Sequence, residues 1–265
     1  MAVRRTAAAL LACLVLAGAA ACGGSGDGAG SAPSSPVASS ARPTPTDRSP
    51  HGVLLAAQLV AHDARRAKVR GRLGADTVRG LVFWAPKTVL QLRREGSDQQ
   101  LIVLDTSAYL GGDQATADRL GGRHWEKFGG GKEIPYAALA DRLNPLVALT
   151  AAAAAEAPEL VGEEQLEEVT TRHYRVTVPA ALYAEAQTQL TGARRQALQE
   201  ALGGGQVTLD LWLNDRDQLV QLRRTARVED TLEYADFGGP LSVQAPAEAD
   251  TADAVGRGLP PQPLG

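Results

Sequence analysis

The 265-residue chain offers few side chains able to do acid–base, nucleophilic or metal chemistry. Its four histidines are His51, His62, His124 and His173, and no two of them stand at metal-ligand spacing. His51 and His62 fall at or beside an apparent first helix, His124 falls in a glycine-rich stretch beside Trp125, and strand alternation turns His173 outward. From residue 51 onward the serines are Ser97, Ser107 and Ser242, with no G-x-S-x-G to raise one as a nucleophile. "GGGKE" ends in Glu133 where a phosphate loop needs Ser or Thr after its lysine, and it lacks the earlier glycine. "NDRDQL" alternates acids as a calcium loop does, but without the glycine and terminal glutamate of one; it reads as a hairpin turn. Glu163, Glu164, Glu167 and Glu168 read as a solvated patch. An enzyme would need an acid–base pair converging in a cleft, and no motif nominates one. The expectation is a non-enzyme with no catalytic residue, no metal ligand and no cofactor.

One chemical signal remains. The only cysteines are Cys13 and Cys22, both in an N-terminal leader, so an exported domain could close no internal disulfide. Arg4 and Arg5 precede a short apolar run, Ala7 to Ala21, which is too short to span a bilayer permanently and reads as a signal peptide over residues 1–21. Ala19-Ala20-Ala21 followed at once by Cys22 resembles the bacterial lipobox, although alanine stands at position 19 where leucine is usual. Cys13 follows Leu10-Leu11-Ala12 but would leave too little apolar sequence for export. The alternatives are an ordinary secreted chain or one whose signal is never cut. The lipobox resemblance implies a diacylglycerol on Cys22, hence a lipid-anchored protein on the extracytoplasmic face of the cell membrane. Two acyl chains suffice for stable anchoring where one binds only reversibly.

Residues 22–50, nearly all Gly, Ser, Ala, Pro and Thr, cannot offset their ordering entropy by burial and are expected to form a disordered tether. Residues 51–248 suit one domain, and the tail, 249–265, is expected to fray. A formal charge of −3 without a basic, aromatic-rich window argues against a nucleic-acid partner.

Within the domain, "HGVLLAAQLVAHDARRAKVRG" spaces Val53, Leu54, Leu55, Leu59 and Val60 as an amphipathic helix stopping near Ala67. Short runs then alternate between turn residues: "KVRGRLG", "TVRGLVFWAP", "TVLQLRRE", "QQLIVLDT" and "SAYLGG". Successive short links imply an antiparallel meander, wet on one face and needing cover on the other. "IPYAALADRLNPLVALTAAAAAEAP" supplies that cover as two helices separated at Pro145. "GGDQATADRLGGRHWEKFGGGKE" reads as a long loop, and "AALYAEAQTQLTGARRQALQEAL" as one further helical stretch. "QVTLDLWLN" and "QLVQLRRTARV" form a hairpin across Asp215-Arg216-Asp217.

At "VTTRHYRVTVPAAL", "VTLDLWLNDRDQLVQLRR" and "TLEYADFGGPLSVQAP" the chain resembles the actinobacterial LppX/LprG lipoproteins, a branch of the LolA-like folds. The resemblance runs from about His51 to Pro246 and rests on layout: a strand ending in Val-Pro that opens a helix, a strand carrying Trp212 before an acidic turn, and Asp236-Phe237-Gly238 before an extended end. It implies an α+β fold, a half-open antiparallel β-barrel with helices over its concave face, and an acylated lipid in a cavity there, for lipid transfer or envelope maintenance. Residues expected to line such a cavity are Trp84, Leu90, Leu92, Leu101, Val103, Leu143, Leu146, Leu149, Val176, Leu209 and Leu211. The same leucines could equally interdigitate into a solid core. The chain would then be a non-catalytic envelope module for protein interaction or sensing, its partner unidentified. Trp84 is placed inward by alternation and Trp212 outward.

Overall fold

The computed structural model describes residues 46–129 and 131–261; the expected signal peptide, Cys22 and most of the expected tether lie outside them. Helix α1 (Pro50–Ala64) opens where Ser49 accepts a 3.2 Å bond from the Gly52 amide, with Pro50 preset for a first turn. It closes at Arg65 in the left-handed conformation. Just before it, Arg48 grips Asp217 through two guanidinium bonds of 2.8 and 2.9 Å, so the last residues assigned to the tether are docked.

A meander follows: β1 (Arg66–Leu73), β2 (Asp76–Phe83), β3 (Val89–Arg94), β4 (Gln100–Leu104) and β5 (Ser107–Gly111). Then come α2 (Gln114–Arg119), β6 (Trp125–Gly129), α3 (Ala137–Leu143), α4 (Pro145–Ala153), β7 (Glu159–Leu166), β8 (Val169–Pro179), α5 (Ala180–Glu185) and α6 (Gly192–Leu202). Strands β9 (Gln206–Leu213), β10 (Leu219–Thr225), β11 (Glu229–Ala235) and β12 (Thr251–Asp253) complete the chain. All twelve belong to one curved, unclosed sheet in the order β12-β6-β5-β4-β3-β2-β1-β11-β10-β9-β8-β7. Every pairing is antiparallel except β12 with β6. The expected α+β class and helix-covered half-barrel are what the chain forms.

Two glycines allow close approach of neighbouring strands. A Cβ on Gly80 would lie 1.8 Å from the Gln91 carbonyl oxygen, and one on Gly71, at φ +145°, would lie 2.0 Å from the Thr231 carbonyl oxygen.

Four expectations need correction. Helix α1 ends at Ala64, not near Ala67, and it buries Val53, Leu54, Ala56, Ala57 and Ala61 while Leu55 and Leu59 stay exposed. Its partner is the alanine-rich α4, and small residues on both helices let the backbones approach. The glycine-rich stretch after β5 is not a loop throughout, for it holds α2, capped by Asp113 on the Thr116 amide (2.8 Å), and β6. The stretch after β8 breaks into α5 and α6, because Thr191 caps a fresh helix and Gln187 turns inward to bond the Val147 and Tyr183 carbonyls. The tail contributes β12, held to the flank of β6 by Asp250, which accepts from the His124 amide (2.9 Å), and by an Arg257–Glu126 ion pair.

Candidate functional site

On the helix-covered side, the inward residues of β1–β4 and β8–β11 meet α1, α3, α4 and α5 in one continuous apolar core. Nine of the eleven residues expected to line a cavity lie in it: Leu90, Leu92, Leu101, Val103, Leu143, Leu149, Val176, Leu209 and Leu211, each no more than 1% exposed. The other two, Trp84 and Leu146, line a cleft of about 300 Å³ at the margin of that core. Such a volume falls at the small end of ligand pockets, roughly 300–1,000 Å³. Val82, Phe83, Ile134, Ala140 and Leu190 complete its apolar wall, and Lys87, Asp105, Asn144, Gln189 and Arg194 line its polar part. The expected cavity residues are therefore contiguous, but only two of them face open space.

The cleft walls are held by specific bonds. Trp84 donates its indole N–H to the Ala61 carbonyl of α1 (3.0 Å), fixing the ring, and Lys87 pairs with Asp105 at 2.6 Å. Asn144 ends α3 and caps α4, accepting from the Leu146 amide at 3.0 Å. Asp141, on α3, is buried and accepts two bonds from Arg194 of α6, at 2.5 and 3.2 Å. Burial pushes its carboxyl above the usual carboxylate range, and the Arg194 contacts only partly offset that.

Beneath the C-terminal end of α3, Arg224 of β10 is 2% exposed and pairs with the buried Asp230 of β11, donating also to the Arg142 carbonyl (3.2 Å). Arg142 closes the network on Asp230 at 2.5 Å, and Tyr234 donates to the Leu143 carbonyl at 3.0 Å. Burial pushes the Asp230 carboxyl up, but the charges and bonds of Arg224 and Arg142 outweigh it and hold it low. This end of α3 is bolted to the sheet. Its other end starts at Tyr136, in the left-handed conformation, with no side-chain cap. The Tyr136 hydroxyl is buried without a hydrogen-bond partner, and burial pushes it up to about 12.

The opposite face of the sheet holds what sequence reasoning missed. His173 is directed outward, as expected, yet it is only 4% exposed. Trp212 stacks on it with ring centroids 4.3 Å apart, and its two ring nitrogens face Glu164 (2.7 Å) and Asp210 (2.8 Å). Arg175 and Arg223 also bond Asp210, at 2.8 and 2.9 Å, and Trp212 donates to Glu164 at 2.8 Å. The buried carboxylate Asp210 and both nitrogens of His173 are thus engaged within the knot, while the outer parts of Arg175 and Arg223 reach solvent. The signal available in sequence was the registered pair His173↔Trp212, which requires knowing that β8 and β9 are neighbours. Of the glutamates read as a solvated patch, Glu164 is thus engaged. The "NDRDQL" segment is the expected turn, with Asn214 accepting from the Arg216 and Gln218 amides at 3.0 Å. Among the described residues no group of three or more His, Cys, Asp and Glu could hold a metal ion.

No protein-family model matches the chain. LprF of Mycobacterium bovis superposes with a TM-score of 0.52 at 14% identity, over 75% of this chain and 97% of that one. The chain has the LprF fold. That bears out, at the level of architecture, the resemblance drawn from the sequence. LppX of Mycobacterium tuberculosis matches at a TM-score of 0.47 and 13% identity, over 72% of this chain and 98% of that one. By sequence, a Streptomyces coelicolor protein provisionally named as a lipoprotein, SCO4650, is 29% identical over 150 residues, which is 52% of this chain and 45% of that protein. An uncharacterized 31.2 kDa protein of Streptomyces griseus is 26% identical over 161 residues, 55% and 53% of the two chains. The chain thus spans about half the length of the curated relatives it matches.

Proposed function

We propose that this chain is a lipoprotein, anchored through a diacylglycerol on Cys22 to the extracytoplasmic face of the cell membrane, whose helix-covered side takes up an acyl chain of a lipid. The observation that carries the reading is the cleft at Trp84 and Leu146, half polar and half apolar, whose apolar wall of Val82, Ala140 and Leu190 belongs to the core beside α3. The LprF fold and the lipoprotein name of the S. coelicolor relative support it. A polar margin of Lys87, Asn144 and Arg194 around an apolar wall suits an amphiphile with its head outward. Because nine of the eleven inward residues are packed, uptake of a long chain requires α3 to lift from its uncapped Tyr136 end while Arg142 and Leu143 stay bolted.

Native mass spectrometry of the chain from a related host tests this reading. An added mass removed by organic solvent, and at least tenfold less of it in Leu146→Trp, which fills the cleft, is the expected result. A clean apo mass after incubation with membrane lipids would favour the second reading, which the packed core supports: a module that binds an envelope protein and no lipid.

A further inference from the structure

The face of the sheet away from the helices carries a groove of about 960 Å³, and an adjoining one of about 660 Å³ shares Arg70, Arg79, Arg93 and Glu233 with it. These three arginines stand directly opposite one another on adjacent strands, Arg70↔Arg79 across β1 and β2 and Arg79↔Arg93 across β2 and β3. Like charges placed so destabilise a sheet, which calls for a compensating anion. Arg70 has its own, bonding Glu233 at 2.5 Å and Glu167 of the β7–β8 turn at 2.9 Å. Among the described residues the side chains of Arg79 and Arg93 have no hydrogen bond or ion pair, so the groove holds two guanidinium groups side by side without a bonded counter-charge. Beside them the lining is mixed: Leu81, Val220 and Phe237, all partly exposed, form an apolar strip, while Gln91, Gln100, Gln218 and Gln221 are neutral polar and the carboxylates Glu167 and Glu233 are engaged by Arg70.

We infer that this groove binds the head of an anionic phospholipid, its phosphate bridging Arg79 and Arg93 and its first apolar groups lying along Leu81, Val220 and Phe237. Guanidinium forks match phosphate oxygens in pairs, and a single phosphate can span side chains from neighbouring strands. The apolar strip of Leu81, Val220 and Phe237 distinguishes an amphiphile from a free inorganic anion. The site lies on the opposite face of the sheet from the cleft at Trp84, so it succeeds or fails independently of the proposed acyl-chain uptake.

The test is a calorimetric titration of the full chain with three probes: dihexanoyl phosphatidylglycerol, dihexanoyl phosphatidylcholine and inorganic phosphate. The expected result is binding of the first, at least about tenfold weaker binding of the other two, and at least about tenfold weakening of the first in Arg79→Gln/Arg93→Gln. The unliganded double variant is expected to melt no lower than the parent, because a repulsive pair has been removed; a structural role for the arginines would lower its Tm instead. Phosphatidylglycerol binding that is absent, or that the double variant leaves unchanged, overturns the proposal. So does inorganic phosphate binding as tightly as the lipid, which would make the groove a simple anion site.

Discussion

Arg224 holds a positive charge at 2% exposure, and the fold tolerates it because Asp230 from the next strand neutralises it and the Arg142 carbonyl takes a further N–H. Removing one partner of such a pair strands the other without water or counter-charge, which costs far more than the pair contributes net. Asp230→Ala is therefore expected to lower the unfolding free energy by about 3–5 kcal/mol in urea titration, against less than about 1 kcal/mol for an exposed pair such as Lys87–Asp105. Sequence alternation could not announce this network, since "LRRTARVED" places Arg224 on the core face where an apolar residue belongs. His173 failed in the opposite sense. Alternation turned it outward correctly, but its burial comes from Trp212 and Glu164, which adjacent strands carry over it.

Elements with their own periodicity were legible, and elements that depend on a partner were not. Strands β1 to β5 are short runs bounded by turn residues, alternating in β1 and β3 and continuously apolar in β4, and a strand forms in each of the five runs. Strand β12 is three residues long and exists because β6 lies alongside it, so nothing within "TAD" could reveal it. No proline in "AEAQTQLTG" separates α5 from α6, yet Thr191 serves better as a cap than as a helix interior. The apolar stripe of α1 was misjudged for a related reason: leucines signalled the buried face, while the tight contact with α4 required alanines. Strand β2 depends closely on Gly80. Gly80→Ala would place a methyl carbon 1.8 Å from the Gln91 oxygen, forcing β2 and β3 apart. The expected loss is about 1–3 kcal/mol, measured as a lowered urea midpoint, with weakened amide protection confined to β2 and β3.

For the whole molecule, acid is the condition that loosens several elements at once. Hydrogen bonds from Trp212 and His173 hold the Glu164 carboxyl low. Burial raises Asp210, but bonds from His173, Arg223 and Arg175 outweigh it, and Asp230 is held low in the same way. A carboxyl depressed in the folded state stabilises the fold above its unfolded pKa, about 4, and that contribution is lost as pH falls through the folded value. Asp141, raised by burial, acts in the opposite sense, since its protonation relieves a buried charge. Asp47 and Asp250 are held low as well, by hydrogen bonds from Ser49 and His124, so the carboxyls that lose stabilising contacts in acid outnumber the one that gains. Urea midpoints are expected to be flat from pH 7 to 5 and to fall steeply below pH 4, with β7 to β11 losing amide protection first. The candidate site was half legible at this scale. Leucines on alternating positions located the apolar face and Trp84 its margin, while openness is a property of how tightly α3 sits, which composition does not encode. The sheet, finally, never closes, so it ends in two bare rows of backbone donors and acceptors. Such rows are templates on which another chain can add a strand. Here one end is only the three-residue β12, and the other, β7, carries Glu159, Glu163 and Glu164 and is bent by a bulge between Leu160 and Gly162. Two copies meeting at β7 would bring like charges together along a bent edge, which works against strand addition there.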